Sequence, residues 1–418
     1  MKTLRGPVLT LFTGSAASQA ITLLMAPILA RIYAAEAFGA WALFIAVSSL
    51  LSTISAGRYD TAIMLPENIS GARKLVFISL SHVALVALLC CISVCIIWLS
   101  SRFYDVHFHA GWLLLPVSVF VTGSSLVFTS LLIRGGRYPS ISKTRVTQSA
   151  VVAASNLAGG YLLMTGATAE GGLLLIIATT LGQCIGLFMN IFAIGIRRLR
   201  LLLTNFHYDF GTLNKYRDFP LYSMPEAALG AALTSMPVYI FTYLMGGAVA
   251  GQYSLAQRCL MLPVAVLGGA MSQVNFREFA RINAKGEAIQ GALFRAWLRA
   301  ALFAVLPSLI LLFFAGDLFR LVFGGQWGLA GEMAAVLAIP TFVTFVFTVG
   351  SSAHVVLRIQ HLSLAVAVCS LLIKLAIVGA MLNETSLRLL VGLTAVDIIM
   401  IVALNAYVYI ISKRPQNA

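Results

Sequence analysis

Apolar residues recur in runs of about 20 along the whole chain, the length at which a helix rising ~1.5 Å per residue crosses the ~30 Å hydrocarbon core of a bilayer. Twelve runs are predicted to be transmembrane helices: Val8–Tyr33, Phe38–Ala62, Val76–Leu99, Gly111–Ile133, Val146–Gly166, Gly172–Ile194, Phe219–Leu244, Gly251–Val274, Gly291–Phe314, Leu329–Val349, His361–Leu382 and Leu387–Ile411. They are expected to be helical because lipid offers no partner to a free backbone amide or carbonyl. Lys2 and Arg5 precede the first run, which is longer than the apolar part of a cleaved leader and reads as a membrane anchor.

Composition sharpens this picture. Of the 418 residues, 60% are hydrophobic and only 10% charged, against about a quarter charged in soluble domains. The net charge of +14 would suggest nucleic acid in a soluble protein. Here most Lys and Arg fall in alternate loops, and the opposite loops hold only Arg31, Arg102, Arg320 and Arg388. Basic residues resist translocation, so this bias places both termini in the cytoplasm and argues against a nucleic-acid partner. The opposite loops, such as 245–250 and 383–386, are too short for an extracytoplasmic domain.

The runs divide six and six around a basic stretch. The expected organisation is an N-terminal six-helix bundle over 1–200, a cytoplasmic linker over 201–218, and a C-terminal six-helix bundle over 219–418. The string Phe38-Gly39-Ala40-Trp41-Ala42-Leu43 is echoed by Ala250-Gly251-Gln252-Tyr253-Ser254-Leu255, about half the chain later, and each opens the second helix of its half. Repeats with an even helix number enter the membrane in the same sense. They predict an all-α fold of two bundles related by pseudo-two-fold symmetry about the membrane normal, with a cleft between them.

The chain carries no phosphate-binding glycine loop, zinc-protease motif or nucleophile elbow, so neither an enzyme nor a cofactor is expected. Its six cysteines sit in apolar runs and read as packing residues, and His107 and His109 form an isolated pair. The informative residues are polar ones at membrane depth. Thr10, Gly14, Ser18 and Thr22 share a face of helix 1, and Ser48, Ser52 and Ser55 a face of helix 2; both suit either tight packing or a cavity wall. Tyr222, Glu226, Gly230 and Thr234 on helix 7, and Ser254, Arg258, Met261, Ala265 and Ser272 on helix 8, include charge and point to a hydrated cavity. Arg258 lies ~10 Å inside the outer surface, and Lys374 and Asp397 lie at ~12 and ~15 Å, close enough in depth to pair. That pair reads equally as a structural tie or as part of an anion or proton site. Arg58-Tyr59-Asp60 and Arg31 sit at helix ends and suit interfacial anchors.

Several of these strings resemble those of the bacterial polysaccharide-transport flippases. They are Pro27-Ile28-Leu29-Ala30-Arg31-Ile32-Tyr33 with Phe38-Gly39, and Gly57-Arg58-Tyr59-Asp60-Thr61-Ala62-Ile63-Met64-Leu65-Pro66. Arg137-Tyr138 with Ser142, Arg145 and Gln148 is a third, Tyr253-Ser254-Leu255-Ala256-Gln257-Arg258 with Leu262-Pro263 and Gln273-Val274 a fourth, and Phe323-Gly324 with Trp327 and Ala330-Gly331 a fifth. The resemblance implies the multidrug/oligosaccharidyl-lipid/polysaccharide exporter fold and the flipping of an undecaprenyl-pyrophosphate-linked oligosaccharide for O-antigen or exopolysaccharide synthesis, beside other polysaccharide assembly proteins. A diphosphate needs a cationic path, and the candidates are Arg258, Lys374, Arg31 and Arg58, since arginine binds phosphate through a bidentate fork. Relatives commonly carry Glu where this chain has Asp60. Drug exporters of the superfamily often place a cation-binding acid on helix 1, which is missing here. Coupling to H+ or Na+ therefore falls to Glu226 or Asp397. The alternatives are a cation-coupled multidrug antiporter, a polysaccharide polymerase or ligase, whose large outer loop this chain lacks, and a structural scaffold.

Overall fold

The computed structural model describes residues 5–102, 109–167, 170–196, 210–357 and 360–413. The regular structure among them is helical. The first half comprises α1 (Arg5–Ile32), α2 (Ala35–Ser55), a short α3 (Tyr59–Ala62), α4 (Ile69–Ser100), α5 (Leu115–Arg134), α6 (Tyr138–Met164) and α7 (Gly171–Ile194). A short α8 (Phe210–Lys215) leads into α9 (Met224–Met245), α10 (Gly247–Pro263), α11 (Gly269–Ala284), α12 (Gln290–Phe323), α13 (Gly328–Thr348), a short α14 (Ser352–Val356), α15 (Gln360–Ala380) and α16 (Ser386–Ile411). Each of the twelve expected spans meets a helix. Ten helical stretches among the described residues are long and apolar enough to cross a membrane, which makes this a multi-pass membrane protein. The two not among them are α6, whose first half is rich in Ser, Thr, Lys and Arg, and α15, whose side chains are described without a break only over Leu364–Ala380.

The second expected span differs in one respect. Its helix stops at Ser55, and the chain turns through Gly57 (φ 57°) and Arg58 (φ 59°) before α3. Arg58 is the one non-glycine residue with positive φ among those described, a conformation that costs about 1–3 kcal/mol outside glycine. Residues 56–63 stay apolar because they enter a packed core rather than lipid. Ala56, Tyr59, Ala62 and Ile63 are buried with Leu75, Val76, Val83 and Val127. The guanidinium of Arg134 ties the following segment down, donating to the carbonyls of Ile63, Met64, Pro66 and Glu67 at 2.5–3.3 Å.

Helix α10 also departs from a regular span. Pro263 has no amide proton to donate one turn back, and the chain widens there into a π-turn over Val264–Gly268 before α11 continues. A second π-turn, over Phe219–Ser223, follows Asp218 and contains Pro220.

The chain forms two compact units, Met1–Tyr239 and Ile240–Ala418, with the division inside α9. Most of the basic linker, residues 201–209, lies outside the described residues, as do Arg197, Arg198, Arg200, Arg358 and His107. The end of the linker is described: Leu213, Tyr216 and Phe219 pack on the core around Tyr59. The same order of neighbours recurs in each unit. In the first, α2 packs against α5, α4 along α5, and α5 and α6 along α7. In the second, α10 packs against α13, α12 along α13, and α13 and α15 along α16. The helix in the fourth place of each half opens with a 3₁₀ turn, at Ala110–Leu114 and Gly325–Trp327.

Candidate functional site

Within a bilayer an ammonium group needs a partner, because the hydrocarbon supplies none. Lys374 on α15 has one: its Nζ lies 2.6 Å from Oδ1 of Asp397 on α16. The two helices approach closely here, and a Cβ on Gly392 would stand 3.1 Å from the Ile377 side chain. Burial is unequal. The Lys374 side chain is 4% exposed and that of Asp397 40%, so the lysine lies behind the carboxylate.

Tyr253 belongs to the string that opens α10, and the neighbouring Gln252 locks that string to the start of α13. Its amide donates to the carbonyl of Gln326 at 2.7 Å and accepts from the amide of Ala330 at 2.9 Å. Two strings about 75 residues apart in sequence therefore form one structural joint around the fully buried Trp327. Arg258 follows on α10, half-buried, ahead of the π-turn. The second unit thus contains Arg258, Lys374 and Asp397, and brings the last two into contact.

Arg31, Arg58 and Glu226 lie in the first unit. Arg31 is exposed at the end of α1. Arg58 occupies the strained turn, and its Nε is buried without a hydrogen-bond partner. Asp60 is buried beside it, and burial pushes its carboxyl above the ordinary carboxylate range against the pull of the Arg58 charge. Glu226 lies on a face of α9 that, with Tyr222, Gly230 and Thr234, is exposed along its length.

The two hydroxyl faces that suited either packing or a cavity prove to be packing seams. Ser142 on α6 donates to the Thr10 carbonyl at 2.6 Å, the Ser18 and Ser149 hydroxyls are 2.6 Å apart, and Arg145 donates to Ser15. A Cβ on Gly14 would fall 2.4 Å from the Cβ of Ser142, so glycine is what lets α1 and α6 meet. On α2, the hydroxyls of Ser48 and Ser118 are 2.7 Å apart, and Ser118 donates to Gln183 on α7 at 2.7 Å. Without a hydrophobic drive between helices in lipid, such contacts and close approaches hold the bundle. The sequence reading passed over Gln252, whose two-sided role needs α13 in place to be seen. It also passed over polar residues of α5 and α7 that line a cavity, where the only signal was their helical spacing.

Comparison with known proteins agrees with this architecture. No curated protein matches the chain. Among solved structures it is similar to the lipid II flippase MurJ in an inward closed conformation, with a TM-score of 0.72 and 12% identity over 96% of this chain and 90% of that one. It is also similar to an inward-facing multidrug resistance MATE transporter of the MOP superfamily, with a TM-score of 0.67 and 14% identity over 94% of both chains. A MOP superfamily transporter from Pyrococcus furiosus matches with a TM-score of 0.66 and 13% identity over 99% and 96%. At these identities the likeness establishes the fold. The family model described as polysaccharide biosynthesis protein matches residues 28–332, and on that match the chain belongs to the polysaccharide biosynthesis protein family, with a fold like that of these solved structures.

Proposed function

We propose that the protein is a flippase that carries an undecaprenyl-pyrophosphate-linked oligosaccharide across the bacterial inner membrane, with both termini and the 201–218 linker in the cytoplasm. The observation that carries this reading is the family match over residues 28–332, on a fold shared with a lipid II flippase. The chemistry of the second unit supports it. Arg258 offers a guanidinium fork suited to the diphosphate. Lys374 adds a positive charge held behind Asp397. Asp397, the more exposed member of that pair, is the candidate coupling acid for H+ or Na+, with Glu226 on the exposed face of α9 as a further candidate. Arg31 and Arg58 are assigned to substrate at the two ends of the first unit's leading helices. The bundles would alternate access to the two leaflets while the polyprenyl tail stays in lipid.

The test is genetic and chemical. Deleting the gene should remove surface polysaccharide and leave lipid-linked repeat units on the inner leaflet. Arg258→Ala should fail to restore the polysaccharide at normal membrane levels of protein, and Arg258→Lys should restore it in part. Unchanged polysaccharide in the deletion strain, with raised sensitivity to cationic drugs, would replace this reading with a multidrug antiporter.

A further inference from the structure

We propose that the first unit holds a separate binding site for a single sugar ring, neutral or bearing one carboxylate, in a notch between α5, α6 and α7. Helices α5 and α6 are joined by the turn over 135–137, and residues of both, with residues of α7, line the space. The resulting cavity has a volume of about 240 Å³. At ~30 Å³ per water that is room for about eight waters, or for one pyranose ring with a few waters kept. It is too small for an oligosaccharide.

The walls are polar at helical spacing. Thr122, Ser125 and Thr129 present one face of α5, and Gln183 and Asn190, two turns apart, one face of α7. Three lining atoms are buried with no hydrogen-bond partner: Oγ1 of Thr122, Oγ1 of Thr144 and Oδ1 of Asn190. Thr144 is 6% and Asn190 3% exposed. Buried polar atoms are rarely left unpaired, since leaving one so is costly. Thr179 and Thr180 on α7 satisfy their hydroxyls on carbonyls one turn back, at 2.9 Å each. Unpaired buried oxygens occur elsewhere too, at Ser52 and Ser124 for example, but here three belong to residues that line one cavity. Gln183 accepts from Ser118 through Oε1, which leaves its NH₂ for the cavity.

The mixture of groups defines the ligand. Hydroxyls and carboxamides both donate and accept, as a ring of neighbouring hydroxyls requires. The lining contains no carboxylate, which argues against a metal ion or an organic cation, and a single cation, Arg145, at the exposed mouth. One guanidinium matches one carboxylate in a bidentate pair, whereas a diphosphate would call for more positive charge. The proposal rests on the transport reading only for the source of the sugar, a residue of the lipid-linked oligosaccharide.

The test uses the purified full-length chain in detergent with methyl β-D-glucopyranoside and methyl β-D-glucuronide as probes, followed by saturation-transfer NMR. Both glycosides should receive saturation, the glucuronide more strongly. Thr144→Val and Thr129→Val keep side-chain shape while removing a hydroxyl. Each should weaken binding about three- to tenfold, the effect of one net hydrogen bond. Arg145→Gln should abolish the preference for the glucuronide and keep binding of the glucoside, with a melting curve confirming that the seam to Ser15 survives. The proposal is overturned if neither glycoside receives saturation, or if both valine variants bind as the native chain does, leaving a cavity that holds water only. Binding is read without transport. A chain that binds glycosides but moves no polysaccharide precursor loses the transport reading and keeps the site, and the reverse result removes the site alone.

Discussion

The two units share an order of helix packing but hold their polar groups differently. In the first, α1 and α6 are joined by neutral hydroxyls and a close approach at Gly14, and α2, α5 and α7 by the Ser48–Ser118–Gln183 chain. In the second, α15 and α16 are joined by an ammonium and a carboxylate 2.6 Å apart, one side buried and the other open. Both units place a packed core at the end marked by basic residues, around Tyr59 and Ile63 in one and around Leu293, Phe279 and Val349 in the other. Hydroxyl seams suit helices that move as one body, because each bond is satisfied locally whatever the proton supply. An ion pair with one accessible member is a different device, since each charge is held by the other and removing one partner leaves the second unmatched.

The largest expected effect comes from breaking the pair, and it should be lopsided. Asp397→Ala strands Lys374 in a buried setting, and a broken buried pair costs about 3–5 kcal/mol. Lys374→Ala leaves the less buried partner, a carboxylate that is 40% exposed, so its cost should be the smaller of the two. The double substitution should be milder than the sum of the two. Thermal melting in detergent reads all three, and equal or strictly additive losses would show that the unequal burial has no energetic consequence.

A middle-sized effect separates a packing seam from an open face. Gly14 and Gly230 both lie within four-residue repeats of small or polar side chains. Gly14→Leu must push into Ser142, and overpacking of this kind costs about 1–3 kcal/mol. A Cβ at Gly230 meets nothing within 4 Å, so Gly230→Ala should stabilise the helix by about 0.5–1 kcal/mol. Melting temperatures that move in the same direction would contradict the contrast between α1 and α9.

The smallest effect is in pH dependence, where the units should respond with opposite sign. Burial pushes the His354 imidazole below its ordinary value of 6.5, so the folded state favours the neutral ring. Its stability is full above about pH 6.5 and is lost as pH falls below that toward the folded value. Asp60 has its carboxyl raised above 3.8 by burial, so the folded state favours the proton. A cost present at neutral pH is then relieved as pH falls through the folded value. Acidification below about pH 6.5 should lower the stability of the native chain relative to His354→Gln, and acidification through the folded value of the Asp60 carboxyl should raise it relative to Asp60→Asn. Parallel curves for the native chain and His354→Gln would remove His354 from the account.

Membrane spans were legible because hydropathy is local and lipid imposes a length, so each of the twelve runs needed no knowledge of its neighbours. The Lys374–Asp397 pair was legible for a related reason: depth is linear in residue number along a helix, and two opposite charges at similar depth have a strong incentive to meet. The strings that open α2 and α10 carried the repeat, since both halves need the same start to the same helix. Other features depended on what lies opposite. Thr10, Gly14 and Ser18 have the same four-residue spacing as Tyr222, Glu226 and Gly230, yet the first set is a seam and the second an exposed face, because spacing specifies a face but not its neighbour. The turn at Gly57 and Arg58 was hidden by apolar residues that read equally as lipid-facing or core. The cavity wall draws on three helices, and Gln252 bridges two strings far apart in sequence. By itself the sequence determined where the apolar helices lie along the chain and which charges fall within them. Only the tertiary structure decided which polar faces are used up in holding helices together and which are left over for a ligand, because a hydrogen bond between helices exists only once both partners are in place.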